Sequence, residues 1–440
     1  MKVLFISLGC DKNLVDSEYM IGALTGAGYE LTDDEYEADI VVVNTCGFIL
    51  DAQEESIQTI IDMGMLKQTA NVKKLIVTGC LAQRYQQEIL KEIPEVDIVL
   101  GTNSYDKIIE AIKKSDEEKV VTYFEPMNHI PKQAAKRRLS TPGHYAHLKI
   151  AEGCNKMCSY CAIPSMRGPY RSVPMEELVL QAKVLAEQGV KELILIAQET
   201  TMYGIDLYGK KMLHELLDKL NEIEGLVWLR LQYCYPEEIY DELIDSMIRN
   251  TKVCHYLDMP IQHCNDDVLK RMNRRTNKKL LKDNIKKIRN KIPDICLRTT
   301  LICGFPGETE EAHKELLKFV DEMEFDRLGA FAYSQEEGTM AAAMEEQIPD
   351  DIKLRRKQEV MELSESVIFD KNQELIGKEM WAFVEGKVAD EASYVARTYR
   401  DTPDVDGYIF INTDEELVTG DFVKVRVIAA YDYDLIGEII

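Results

Sequence analysis

Gly153-Cys154-Asn155-Lys156-Met157-Cys158-Ser159-Tyr160-Cys161 is the stretch on which the fold of this 440-residue chain turns. Its three thiols stand at Cys-x-x-x-Cys-x-x-Cys spacing, directly after an apolar run at residues 146–150 that reads as a strand. Asn155, Lys156 and Ser159 make the segment polar, as befits a loop leaving that strand. Three thiolates on one short loop can hold three irons of a cubane cluster and leave the fourth open to a chelating small molecule. Zinc is the competing metal. Structural zinc asks for four protein ligands, and no fourth lies adjacent.

Outward from this loop, strands and helices alternate. Residues 192–196, 227–231, 256–259, 296–303 and 327–331 read as further strands, with helices such as 176–188 and 310–323 between them. With 146–150 that makes six, the pattern of a partial or full (β/α) barrel over residues 144–370, whose chemistry sits at the carboxyl ends of the strands. The N-terminal part, residues 1–127, alternates in shorter units. Strands are predicted at 3–8, 40–43, 75–77 and 96–100, and helices at 16–27, 53–61, 83–93 and 108–114. This α/β pattern implies a doubly wound parallel sheet. Residues 128–143 hold Pro131, Pro142, Gly143 and a basic cluster, Lys132-Gln133-Ala134-Ala135-Lys136-Arg137-Arg138, and read as a solvated linker. Residues 371–440 change character: β-branched and aromatic runs at 381–385, 407–412, 422–429 and 435–439 imply a small all-β barrel.

A second set of cysteines emerges from the N-terminal strands. Cys10, Cys46 and Cys80 each lie just past the carboxyl end of a predicted parallel strand. In a doubly wound sheet those ends share one edge, so the three thiols can converge although 34–36 residues separate them. Gly9, Gly47 and Gly79 flank them and permit close backbone approach. Buried strand-end cysteines are the plainer alternative on this evidence alone. Of the 11 cysteines, Cys234, Cys254, Cys264, Cys296 and Cys303 share no spacing and read as small buried hydrophobes. The start of the chain lacks a signal-peptide layout and no apolar run is long enough to span a membrane, so the expected compartment is the cytoplasm, where disulfides are rare.

The two cysteine trios together resemble one family. The central domain resembles the radical S-adenosylmethionine (SAM) superfamily. End to end, the chain is similar to its methylthiotransferases, with a cluster-binding N-terminal domain, a radical domain and a C-terminal TRAM domain. Four segments are most similar to the RimO branch, which modifies ribosomal protein S-twelve: residues 7–18, Val43-Asn44-Thr45-Cys46-Gly47-Phe48-Ile49, Ile163-Pro164-Ser165-Met166-Arg167-Gly168, and Gly304-Phe305-Pro306-Gly307-Glu308-Thr309. The last is shared with the tRNA-modifying branch.

The resemblance implies a transferase with two 4Fe-4S clusters, one on Cys154, Cys158 and Cys161 and one on Cys10, Cys46 and Cys80. The first would bind and cleave SAM, and the second would hold the sulfur that is methylated and delivered to the β-carbon of an aspartate of S-twelve. It also implies SAM contacts at Tyr160, between the second and third ligands, and at Gln198, Glu199, Thr200, Arg230, Gln262 and Gly304, on or just beyond the strands of the central domain. No further catalytic residue is assigned. The implied partners are S-twelve, free or in the small ribosomal subunit, and an electron donor such as flavodoxin or ferredoxin, with no membrane.

Charge bears on the substrate. The chain has 53 basic and 77 acidic residues, a net charge of −24, which argues against coating nucleic acid by bulk electrostatics. Residues 371–440 carry seven basic and fifteen acidic residues, a charge of −8 that suits a basic protein partner. Against this, residues 270–291 carry eleven basic residues and one acidic, Asp283, a stretch that is either a solvated helix face or a contact to RNA. Transfer to adenosine in tRNA is therefore the alternative substrate, and a non-catalytic iron–sulfur sensor or scaffold the alternative class.

Overall fold

The computed structural model describes residues 1–131, 137–389 and 392–440; Lys132 and Lys136 of the basic cluster lie outside the described residues. The chain divides into two compact units that do not follow chain order. The first comprises Met1–Ser140, Glu152–Arg171 and Ser334–Ala342, and the second Thr141–Ala151, Ser172–Tyr333 and Ala343–Ile440.

The first unit is built on a six-stranded sheet. Its strands are β1 (Lys2–Ser7), β2 (Glu30–Leu31), β3 (Ile40–Thr45), β4 (Lys74–Gly79), β5 (Ile98–Leu100) and β6 (Val121–Tyr123), in the order β2-β1-β3-β4-β5-β6. Every pairing is parallel. β3 is buried along its whole length, which is why Ile40-Val41-Val42-Val43 is continuously apolar rather than alternating. Val41, Val43, Leu75 and Val77 pack with Ile60 and Leu66 of the helix Leu50–Thr69 and with Leu81. Helix α1 (Asp11–Gly26) starts immediately after Cys10, five residues earlier than its apolar spacing predicts. The helix predicted at 83–93 is two helices, Cys80–Tyr85 and Gln87–Glu92, broken at Gln86, whose φ is +41°. Arg137 does not behave as a solvated linker residue: its Nε donates to Glu18 Oε2 at 2.6 Å, and Ser140 N donates to Glu18 Oε1 at 2.8 Å. Glu18 is buried on α1, and a buried carboxylate needs such partners.

The second unit holds a six-stranded parallel sheet in chain order: Tyr145–Lys149, Glu192–Ile196, Trp228–Leu231, Val253–Asp258, Cys296–Cys303 and Arg327–Ala332. Its outer strands, Tyr145–Lys149 and Arg327–Ala332, do not pair with each other among the described residues, so the sheet is open and not a closed barrel. The helix Asp350–Gln373 leads into a closed five-stranded barrel of Glu379–Lys387, Ser393–Thr398, Ile409–Asn412, Asp434–Ile439 and Phe422–Tyr431. Cys234, Cys254, Cys264, Cys296 and Cys303 are all buried in this unit.

Buried ion pairs fasten the barrel to the sheet. Glu192 accepts from Arg230 Nε at 2.6 Å and from Arg397 Nη2 at 2.7 Å, with all three side chains fully buried. Burial alone would raise the Glu192 carboxyl, but the guanidiniums of Arg397 and Arg230 hold it down at about 2. Arg298 meets Asp406 at 3.2 Å and Arg400 meets Asp326 at 2.8 Å, and Asp401 takes Arg327 Nε at 3.0 Å. These contacts correct the expectation for Arg230. Its head group donates to Glu192 and to the Tyr399 carbonyl at 2.6 Å, so it joins sheet to barrel rather than facing the carboxyl-end edge.

Candidate functional site

The first unit brings each predicted cysteine trio together. Cys10 is the residue preceding α1, Cys46 follows β3, and Cys80 opens the helix Cys80–Tyr85 directly after β4. Burial raises the Cys80 thiol to about 11, and neighbouring Cys10 and Cys46 add to the rise while Arg167 opposes it. Burial raises Cys46 in the same way, with Cys10 again contributing. The geometry shows the approach directly: a Cβ on Gly9 would lie 3.2 Å from Cys46 Sγ and one on Gly47 3.0 Å from the Cys80 carbonyl carbon, so the three loops abut although their strands are far apart in sequence. Cys10 is the exposed member and Cys80 the buried one, so the trio opens toward solvent on the Cys10 side.

Two features hold this arrangement. Gly79 has a φ of +95°, and a Cβ there would lie 2.3 Å from Asn44 Oδ1 and 2.5 Å from the Thr45 carbonyl, so only glycine lets β4 end beside β3. Asn13 ties the loops: its Nδ2 donates to the Leu8 carbonyl at 3.0 Å and to the Thr45 carbonyl at 2.9 Å. Its Oδ1 accepts from Arg167. Ser56 Oγ accepts from Cys46 N at 3.0 Å and so fixes the backbone beside the second thiol.

The second trio in the unit is the Cys154–Cys158–Cys161 loop. Burial raises the Cys161 thiol to about 12, with Cys158 and Cys154 contributing. Main-chain amides point at these sulfurs: Lys156 N lies 3.4 Å from Cys154 Sγ and Ile163 N 3.4 Å from Cys161 Sγ. Amide–sulfur hydrogen bonds are what thiolates ligating an iron–sulfur cluster receive. Tyr160 lies half-buried on this loop. A cavity of about 430 Å³ opens beside Cys158 and Cys161, lined by Arg84, Tyr85, Glu337 and Met340. Among the described residues, no group of three His, Cys, Asp or Glu is arranged around a single metal ion. A four-iron cluster makes a different demand, since its thiolates stand apart on separate corners of a cube. Two sets of three mutually close thiols, one with amides aimed at its sulfurs, fit that group.

The remaining predicted contacts lie in the second unit, at the carboxyl ends of its strands. Glu199, next after Gln198 and three residues beyond the strand Glu192–Ile196, is buried, and its Oε1 accepts from Thr201 N at 3.1 Å. Thr200 Oγ1 donates to the Gln232 carbonyl at 2.6 Å, lacing this loop to the next. Tyr233 and Gln262 take positive φ, +59° and +68°, without being glycine. Such conformations store strain and cluster at ligand sites. Gly304 has a φ of +75°, but the space a Cβ would fill is taken by Lys353 Cγ at 2.3 Å. Packing of the helix Asp350–Gln373 therefore explains this glycine without a ligand. Glu308 pins the same turn by accepting from Gly304 N at 2.6 Å and from Phe305 N at 3.1 Å.

Sequence reasoning passed over Asn13, Ser56, Arg167 and Glu336. Asn13 and Arg167 lie inside the family-like segments but carry no spacing signal. Glu336 accepts from Gln53 Nε2 at 2.7 Å and from Arg84 Nη1 at 3.0 Å, a role with no local signature.

A parallel α/β sheet whose first strand runs into a loop of three cysteines, beside a closed β-barrel, defines a radical SAM protein with a TRAM domain. Comparison with known proteins agrees. Residues 2–101 match the uncharacterized protein family UPF0004, residues 148–320 the radical SAM superfamily and residues 376–440 the TRAM domain. The chain is 57% identical over 437 residues to the ribosomal protein uS12 methylthiotransferase RimO of Lachnoclostridium phytofermentans, covering 99% of each chain. It is 46% identical over 440 residues to that of Clostridioides difficile, covering 100% of this chain and 99% of the other. Among solved structures, the radical SAM methyltransferase TsrM of Kitasatospora setae shares the fold, with a TM-score of 0.54 at 14% identity over 75% of this chain and 72% of that one. The chain belongs to the RimO family of radical SAM methylthiotransferases. It is a transferase, and the family uses SAM and an iron–sulfur cluster.

Proposed function

We propose that this enzyme adds a methylthio group to the β-carbon of an aspartate of ribosomal protein S-twelve, using two 4Fe-4S clusters and SAM. The observation that carries the reading is the convergence of Cys10, Cys46 and Cys80 on one sheet edge, in the same compact unit as the Cys154 loop. A radical SAM enzyme needs only one cysteine trio to cleave SAM; a second one with an exposed member suits a site that hands sulfur to a substrate. Cys154, Cys158 and Cys161 would hold the cluster that supplies one-electron chemistry, and Cys10, Cys46 and Cys80 the other. The chain's own part is to hold both in fixed positions and place the acceptor carbon between them. Tyr160, Gln198, Glu199, Thr200 and Gln262 remain the proposed SAM contacts. We divide the chain into a cluster-binding domain at 1–127, a linker at 128–143, a radical domain at 144–370 and a TRAM domain at 371–440. An electron donor such as flavodoxin or ferredoxin would serve it in the cytoplasm. No helix among the described residues is long and apolar enough to cross a membrane.

Charge placement supports protein over tRNA. Six of the eleven cations of residues 270–291 meet the protein's own carboxylates, among them Arg274 with Glu237 at 3.1 Å, Lys278 with Glu315 at 2.9 Å, Lys287 with Asp241 at 2.8 Å and Lys291 with Asp245 at 2.7 Å. A phosphate-binding surface would keep such groups available. In the barrel domain, Asp401 and Asp406 are spent on Arg327 and Arg298, while Asp414, Glu415, Glu416 and Asp432 are among the exposed acids that a basic partner would meet.

Mass spectrometry of S-twelve and of bulk tRNA, after incubation with reduced enzyme and SAM, tests the substrate. A methylthio gain on the aspartate is expected; modified adenosine with unmodified protein overturns the reading. Replacing Cys10, Cys46 and Cys80 by Ala should lower bound iron from about eight to about four, abolish transfer and leave SAM cleavage intact.

A further inference from the structure

Arg167 is 2% exposed and spans the two cysteine trios. It ends the helix Ile163–Arg167, which begins two residues after Cys161. Its Nε donates to Cys80 Sγ at 3.3 Å. Its Nη1 donates to Asp16 Oδ2 at 2.7 Å and to Glu152 Oε2 at 3.2 Å, and its Nη2 donates to Asn13 Oδ1. Asp16 stands on α1, which starts directly after Cys10, and Glu152 stands two residues before Cys154. Every donor nitrogen of the guanidinium is thus used, and one is spent on a sulfur.

A purely structural role does not account for this choice. Burying a guanidinium with two carboxylates costs desolvation that an apolar core of the same volume avoids. The wall around it is already apolar on one side, where Cys80 packs against Ala162 and Met166. What the charge adds is a positive field and a charge-assisted hydrogen bond at the Cys80 sulfur. The net charge, hydrogen bonds to sulfur and solvent exposure are the protein's controls over cluster potential.

We propose that Arg167 is a positioning residue that orients Cys80 and raises the reduction potential of the group held by Cys10, Cys46 and Cys80. The proposal rests on the two-cluster reading above. A cation hydrogen-bonded to a ligand sulfur stabilises the extra negative charge of the reduced state, so its loss favours the oxidised state.

The test uses the full-length chain carrying Cys154→Ala, Cys158→Ala and Cys161→Ala, so that one cluster remains, reconstituted without oxygen and titrated with EPR detection. Arg167→Gln alone would strand a buried carboxylate, so it is paired with Asp16→Asn. Arg167→Lys, which keeps the charge, is the second variant. Compared with Asp16→Asn alone, so that the two differ only by the guanidinium, the double variant is expected to lower the reduced-to-oxidised ratio at fixed potential at least tenfold, a shift of about 59 mV for a one-electron couple. Arg167→Lys should fall between it and the parent. Loss of the cluster from the double variant alone, with iron retained in Arg167→Lys, also supports the role. An intact cluster with an unchanged potential overturns the proposal. A parent that binds no iron removes the two-cluster reading itself, and the inference with it, and this is seen before any potential is measured.

Discussion

Asn13→Ala is the sharpest probe of how the sheet edge is assembled. Asn13 is 1% exposed, so its partners have no water to fall back on. The substitution deletes two donated hydrogen bonds, to the Leu8 and Thr45 carbonyls, each worth about 1 kcal/mol. It also removes the acceptor for one Arg167 nitrogen, a bond to a charged group worth about 1.5–3 kcal/mol. The expected loss is about 3–5 kcal/mol, a large share of the ~5–15 kcal/mol that keeps a domain folded. For a unit of this size that lowers the first thermal transition by roughly 6–20 °C. The bonds lost lie beside the loops that carry Cys10 and Cys46. Iron on the N-terminal trio should therefore fall before iron on the Cys154 loop does. Calorimetry together with iron counts on full-length protein and on a form lacking Cys154, Cys158 and Cys161 reads both effects. A loss below about 0.5 kcal/mol with iron retained on the N-terminal trio would refute the idea that Asn13 ties the loops together.

Gly79→Ala should prevent β4 from ending beside β3, since its Cβ would overlap Asn44 and Thr45, and the soluble yield or the iron content should drop sharply; normal iron content would show that the loops can shift. Glu192→Gln leaves Arg230 and Arg397 buried against a neutral partner and should cost about 3–5 kcal/mol in urea unfolding of the second unit. The same pair sets a pH dependence. The folded carboxyl of Glu192 lies near 2, below its ordinary 4.5, so the pairing is fully present above about pH 4.5 and is lost as pH falls toward 2. The Gln variant should flatten stability over that window, and an unchanged acid limb would exclude Glu192 as its source.

The strands that were legible are those whose residues answer to their immediate environment. The apolar runs at β3 and at Glu192–Ile196 are buried on both sides, and the structure returns them nearly residue for residue. Ser393–Thr398 escaped notice because Arg397 sits inside it, and a charge in a strand reads as a surface residue. Its partner Glu192 lies 205 residues away. Arg230 was misread for the same reason, since position along a strand says nothing about which carboxylate a guanidinium will find. The early start of α1 was hidden by Asp11, Lys12 and Asn13, whose polarity belongs to tertiary contacts and not to an exposed turn. The acidic surplus of the barrel was countable in the sequence. That part of it is buried against sheet arginines was not.

The cysteine motifs were legible as motifs, yet their most consequential property was not. The radical-type loop, residues 152–171, follows a strand of one unit in sequence but belongs to the other, whose sheet carries Cys10, Cys46 and Cys80. Three contacts inside that unit hold the trios together: Arg167 on Cys80, Cys80 against Ala162 and Met166, and the segment Ser334–Ala342, which reaches both sides. In that segment Glu336 takes Arg84 from the helix that Cys80 opens, while Ala341 N donates to the Ser159 carbonyl at 2.8 Å inside the cysteine loop. The separation of the two trios is therefore fixed by side chains of one compact body. In the proposed transfer, where a radical and a sulfur meet at one carbon, this fixes the spacing on which the reaction depends.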